Sequence, residues 1–389
     1  MKRKIFSILL TAVLAVSLLA GCGTADKDND KQNNAGQNET GKDNDKTPDK
    51  GIKLTDLKIG EIQSYTIDDG GWCQAMHQGL VATMKALGIP EENLYKVENV
   101  AEEPTAVEAA LEELVDQGAN VIIGCSTGYG TFLSELAPQF PDVTIAQFGN
   151  KLDNLISIQI RGYEGMFLAG YASALLSPTD ELGFCASMND ASVRTAINAY
   201  ALGAKYAKEN ATVQVVWANS WYDPEKEAQN ATTLISNGIT YMGIEASSPA
   251  IPQTCEEKKA FCVGYNVDME ANAPGAVITS YMWNWQPIFT KIFNSIADGT
   301  VSTNDQYYEG GESSALADFN EALVPAEVIS KVNDLRAKIN SGDVKIYGGE
   351  LKDVNGKVLV EAGAEMSDED INLQDFFVEN VKGSEGAQQ

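Results

Sequence analysis

The chain has 389 residues, enough for two domains, with one histidine, six cysteines and a formal net charge of −27. That acidity argues against a basic face for nucleic acid or for an anionic membrane surface. A lone histidine cannot build a multi-histidine metal site, and the cysteines fit no zinc spacing, so neither metal nor cofactor is expected.

Lys2, Arg3 and Lys4 precede an apolar run, 5–19, that closes on Leu19-Ala20-Gly21-Cys22. The run is short for a membrane span and is flanked like a signal peptide, placed at 1–21. A cysteine directly after Leu-Ala-Gly resembles the bacterial lipobox. Cys22 is therefore the expected lipidation site, which would hold the protein outside the cytoplasm on the cell membrane. A secretory signal with a chance cysteine is the alternative. Residues 23–51 hold no Val, Leu, Ile, Met or aromatic residue. Such a stretch cannot bury enough apolar surface to offset its ordering entropy, so 22–52 reads as a lipid-bearing cysteine and a tether, with an r.m.s. span of roughly 30 Å.

From residue 53 onward short β-rich runs alternate with helical patterns. Strands are predicted at 57–63, 94–100, 120–124, 143–148 and 155–160, with helices at 71–86, 105–117 and 131–137 between the first four. After the apolar helix 163–176 the alternation restarts with strands at 182–186, 212–218, 240–244 and 261–266. Helices 191–209 and 224–237 and a shorter third helix separate those four strands. Nearly continuous apolar strands suit a parallel sheet covered on both faces. Two successive halves of this kind predict an α/β protein of two doubly wound lobes. The expected division is 53–160 plus 268–300 for lobe 1, and 161–267 plus 301–389 for lobe 2. Ligands of open α/β sheets bind at the carboxyl ends of the strands, and two facing lobes make a cleft there.

Little in that cleft reads as catalytic. His77 lies within the first helix and reads as a packed or surface imidazole. The pair Asp68-Asp69 suits acid–base work or a helix cap. Ser126-Thr-Gly-Tyr-Gly130, between a buried strand and a helix, offers backbone N–H groups to a ligand. Cys255 and Cys262 read as buried thiols, with a disulfide between them as the alternative. The tryptophans carry more information. Trp72, Trp221 and Trp283 each follow a strand, where indole faces from two lobes can sandwich a flat ligand. Trp217 and Trp285 read as loop-packing residues.

The segments Asp69-Gly-Gly-Trp72, Phe167-Leu-Ala-Gly170, Trp217-Ala-Asn-Ser-Trp-Tyr-Asp-Pro224, Gly264-Tyr-Asn-Val-Asp268 and Thr279-Ser-Tyr-Met-Trp-Asn-Trp285 occur in this order. Together with 356–363 and 376–383 they resemble the basic membrane protein family of lipoproteins, which includes purine nucleoside receptors. The resemblance spans about 57–383. It implies a type I periplasmic-binding-protein fold with a hinge, a purine-like ligand and an ABC permease as partner. It also implies that Trp72, after Asp69, and Trp221 stack on opposite faces of the purine. Where the nucleoside receptors place an acid for the ribose hydroxyls this chain has Asn266, and where they place a ribose-contacting lysine it has Trp283. The resemblance, with these departures, points to a free nucleobase such as adenine. Arg161 near the hinge, as a ring-nitrogen donor or an interlobe salt bridge, and Ser247 and Asp268 on strand-end loops complete the expected lining.

The expected protein is a monomeric, extracytoplasmic solute receptor and not an enzyme. A nucleoside receptor, a sugar receptor or a sensory subunit of the same fold are the alternatives. An extracytoplasmic nucleoside hydrolase would leave the paired lobes unexplained.

Overall fold

The computed structural model describes residues 51–383. The expected signal peptide, Cys22 and nearly all of the tether lie outside them. The chain opens with β1 (Ile59–Ile62), α1 (Trp72–Leu87), β2 (Leu94–Val97), α2 (Pro104–Asp116), β3 (Val121–Gly124), α3 (Gly130–Leu136), β4 (Thr144–Phe148) and β5 (Ile156–Ile160). There follow α4 (Gly162–Leu176), β6 (Glu181–Ala186), α5 (Ala191–Ala207), β7 (Thr212–Trp217), α6 (Pro224–Ser236), β8 (Tyr241–Glu245), α7 (Ala250–Lys258) and β9 (Phe261–Asn266). The last part comprises β10 (Val277–Trp283), α8 (Gln286–Ala297), β11 (Gln306–Glu309), β12 (Ser314–Leu316), α9 (Ala326–Asn340), β13 (Leu351–Lys352), β14 (Val358–Val360), α10 (Asp368–Asn372) and β15 (Val381–Lys382).

The strands form two main sheets. One has the order β11-β5-β4-β3-β1-β2 and the other β12-β10-β9-β8-β6-β7-β15, while β13 and β14 make a small hairpin. Every pairing in the two main sheets is parallel except β10 with β12. Fully buried strands such as Val121–Gly124 explain the apolar runs, because helices cover both faces. Each sheet has its own apolar core: Met76, Leu80 and Ile123 belong to one, and Phe167, Phe184 and Ile244 to the other.

Helix α4 is buried on nearly every side. Against α5 it packs backbone to backbone, since a Cβ on Gly170 would lie 2.0 Å from the Tyr200 carbonyl oxygen and one on Gly203 1.9 Å from that of Phe167. Only glycine permits that approach.

The division between lobes differs from the expected one. The chain first leaves the first sheet after β5, at Arg161. The second crossing is at Asn284 and not near Val267, because β10 continues the second sheet beside β9. The loop 267–276 joins these parallel neighbours within the second lobe, where a crossing to the first lobe was expected. Helix α8 then packs into the first core through Phe289 and Phe293, and β11 adds to the first sheet. The return runs through 310–313, and not through 300–306. Residues 268–283 thus belong to the second lobe, and 301–309 to the first.

Candidate binding cleft between the lobes

A cavity of about 810 Å³ lies where the carboxyl ends of the two sheets meet. From the first lobe it is lined by Trp72, Ser126 and Phe148, and from the second by Trp221, Glu245 and Trp283.

Asp69 places the first wall. One of its carboxylate oxygens accepts the N–H groups of Gly71 (2.8 Å) and Gln74 (3.1 Å), and the other that of Cys73 (3.2 Å). The carboxylate thus satisfies the open N–H groups of α1 and suits the positive end of its dipole. Trp72 is the first residue of that helix. Its Nε1 donates to the Cys125 carbonyl at 2.7 Å, which fixes the indole across the end of β3. Phe148 at 4.9 Å, and Trp283 and Trp285 at 5.2 Å, pack against it edge to face. Ser126 lines the cavity with Oγ donating to Glu102, and it accepts the N–H of Gly128 at 3.2 Å.

The lobes touch beside this wall. A Cβ on Gly71 would sit 3.0 Å from that of Ser247, so a side chain there would crowd the facing lobe. At the mouth of the cavity Tyr65 and Tyr222 face one another across the lobes, with ring centroids 6.5 Å apart. Trp221, beside Tyr222, lines the cavity and is 41% exposed.

The second lobe contributes the ends of β8, β9 and β10. Asn266 closes β9 in the left-handed region at φ 69°, and its Oδ1 accepts the Trp283 Nε1 hydrogen at 2.9 Å. Trp283 begins a stack that continues through Trp285, Phe289 and Phe293 at 6.0, 5.7 and 5.9 Å. This column carries the second crossing from the cavity wall into the first core.

Glu245 ends β8 nearly buried, accepting Ser187 Oγ at 2.5 Å and Tyr265 Oη at 3.2 Å. Burial pushes its carboxyl up to about 8. Sequence reasoning missed this residue, although an acid ending the run Tyr-Met-Gly-Ile is a visible signal. Phe148 and Tyr265 were missed too, because their positions on apolar strands read as core.

Two expected lining residues stand elsewhere. Arg161 does not line the cavity: its guanidinium grips Asp368 through two bonds of 2.8 and 2.6 Å, and the Tyr163 hydroxyl joins them at 3.0 Å. The ion pair raises the already high pKa of the guanidinium. Asp268 is exposed, and its carboxylate caps the N–H of Glu270 at 3.0 Å. Asp69, Trp72, Ser126, Trp221, Ser247, Asn266 and Trp283 all border the cavity. Trp217 packs on Phe377, and Trp285 is fully buried. His77 Nδ1 is 2.6 Å from the buried Glu61, away from the cavity. Cys255 and Cys262 are free buried thiols.

Residues 57–350 match the model of the Bmp family, described as ABC transporter substrate-binding protein, PnrA-like. The chain belongs to the Bmp family. A purine-binding protein of Brucella abortus (strain 2308) is 29% identical over 328 residues, covering 84% of this chain and 93% of that protein. Basic membrane protein A2 of Borrelia garinii subsp. bavariensis is 24% identical, covering 74% of this chain and 87% of its own length. An ABC solute-binding protein of Conexibacter woesei superposes with a TM-score of 0.63 at 18% identity, covering 74% of this chain and 98% of its own. The fold is therefore the type I periplasmic-binding-protein fold. As a Bmp-family member the protein is an extracytoplasmic solute-binding component and not an enzyme, with a small-molecule ligand and a permease partner. Among the described residues no helix is long and apolar enough to cross a membrane.

Proposed function

We propose that this protein delivers a purine nucleobase of the adenine type to an ABC permease, as a receptor anchored through a lipid on Cys22. The observation that carries the ligand reading is the bond between Trp283 and Asn266. At the positions where a nucleoside receptor would hold a lysine and an acid for the sugar, this cleft has an indole closed onto an amide. The bond engages the one N–H of the indole, and the indole's bulk occupies space that a ribose would need. A ribose held there would leave hydroxyls unpaired, at about 1–3 kcal/mol for each buried polar group. The flat aromatic walls serve a base instead, since stacking on an aromatic ring contributes about 1–3 kcal/mol.

The purine-binding relative from Brucella supports this ligand class. The lipid anchor rests on the lipobox alone. Mass spectrometry of the small molecule released from the denatured, freshly purified protein tests the reading directly. A base such as adenine is the expected result. Recovery of a nucleoside would replace this reading with that of a nucleoside receptor, and recovery of a sugar would remove the purine class altogether.

A further inference from the structure

Among the described residues Glu245 is the one buried carboxyl group that borders the cavity. It is 6% exposed and lines the cavity. Ser187 Oγ donates to Oε2, and Tyr265 Oη to Oε1. Each carboxyl oxygen has a second lone-pair direction, so two hydroxyls do not exhaust the group.

The surroundings decide its charge. Asp69, Glu102 and Asp190 also border the cavity, whereas none of the described lining residues is Lys, Arg or His. The groups facing Glu245 are Ser187 and Asp190, from the segment after β6, and Tyr265 from β9. None of them is a cation, and Asp190 opposes a further negative charge. A buried carboxylate with no cationic partner takes up a proton, because the desolvation cost of the charge is not offset.

We infer that Glu245 determines specificity as a neutral carboxylic acid, pairing with the adjacent donor and acceptor on the edge of an uncharged nitrogen heterocycle. This deepens, and rests on, the nucleobase reading of the cleft. A carboxylic acid carries an O–H donor beside a C=O acceptor. An amino-substituted ring carries a ring-nitrogen acceptor beside an N–H donor. The two match as a pair of parallel hydrogen bonds with no net charge to desolvate. The same acidic lining rejects phosphorylated ligands, since a phosphate entering it would meet four carboxyl groups and no cation.

Calorimetry with adenine between pH 6 and pH 9 on wild type, Glu245→Gln and Glu245→Ala tests the inference. The carboxyl titrates near pH 8, so wild-type affinity should fall about tenfold between pH 7 and pH 9 as the O–H donor is lost. Glutamine keeps a donor and an acceptor. That variant should bind within about threefold of wild type at pH 7 and lose the pH dependence. Alanine should lose about tenfold or more at pH 7. Adenosine monophosphate should not bind. A Glu245→Gln profile that still falls with pH overturns the inference, as does a glutamine variant that loses as much as alanine or a nucleotide that binds as well as adenine. In those cases adenine binding by the wild type leaves the nucleobase reading standing. Failure of the wild type to bind adenine at any pH overturns both.

Discussion

The indole Nε1 of Trp283 donates to Oδ1 of Asn266 across 2.9 Å, joining the ends of two neighbouring strands of the second lobe. In the proposed ligand reading this bonded pair is the departure from a nucleoside receptor. Adenine should therefore bind at least about tenfold more tightly than adenosine in calorimetry on ligand-stripped protein. Trp283→Ala should narrow that ratio by opening the blocked volume. Equal affinities in the wild type would show that the indole does not exclude the sugar.

Trp72 and Trp221 should respond differently to truncation. Each stacking loss should weaken base binding by about 1–3 kcal/mol, roughly ten- to a hundredfold. Trp221 is 41% exposed, so Trp221→Ala should melt like the wild type. Trp72 is packed against Phe148, Trp283 and Trp285 and tied to Cys125. Trp72→Ala should also lose about 3 kcal/mol or more of stability, visible in denaturant titration. Wild-type affinity in both variants would mean that the indoles serve only to pack loops.

Arg161 and Asp368 tie the first crossing to α10. Burial raises the pKa of Asp368, but the Arg161 guanidinium and the Tyr163 hydroxyl outweigh it and hold the carboxyl below the usual range. A depressed folded pKa contributes stability that is present above the unfolded carboxylate pKa, and that is lost as pH falls through the folded value. Asp368→Asn should lower stability at pH 7 and flatten the acid limb of the stability profile. It should leave ligand affinity within about threefold, because Arg161 and Asp368 stand outside the cavity.

Glu245 gives the opposite sign. Its folded pKa of about 8 lies above its ordinary value. The folded protein then binds more protons than the unfolded chain between roughly pH 4.5 and pH 8, so stability should fall with rising pH through that window. Glu245→Gln should remove this contribution. Melting curves of the ligand-free proteins at pH 5, 6.5 and 8 measure it, and parallel profiles for the two would contradict the raised pKa.

Cys22→Ala should release the protein from the membrane fraction without altering adenine affinity. Retention of the variant in that fraction would remove the lipid-anchor reading.

The two-lobed architecture was legible because its signal is local: apolar strands alternate with amphipathic helices, and each stretch can be read alone. The strand-end tryptophans were legible for the same reason, since a large aromatic just past a strand stands at the cleft-forming edge. The second and third crossings were not, because the sheet that β10 and β11 join is decided by their pairing with β9 and β5, which no local pattern specifies. Nor could sequence separate Arg161 from the ligand, as its partner Asp368 lies 207 residues away. Glu245 shows the same division most sharply. Its place at the end of a strand is written in the chain, but its raised pKa depends on burial, on Ser187, Tyr265 and Asp190, and on the lack of a cation among the described lining residues. Burial and electrostatic environment are properties of the assembled lobes, and no stretch of chain carries them by itself.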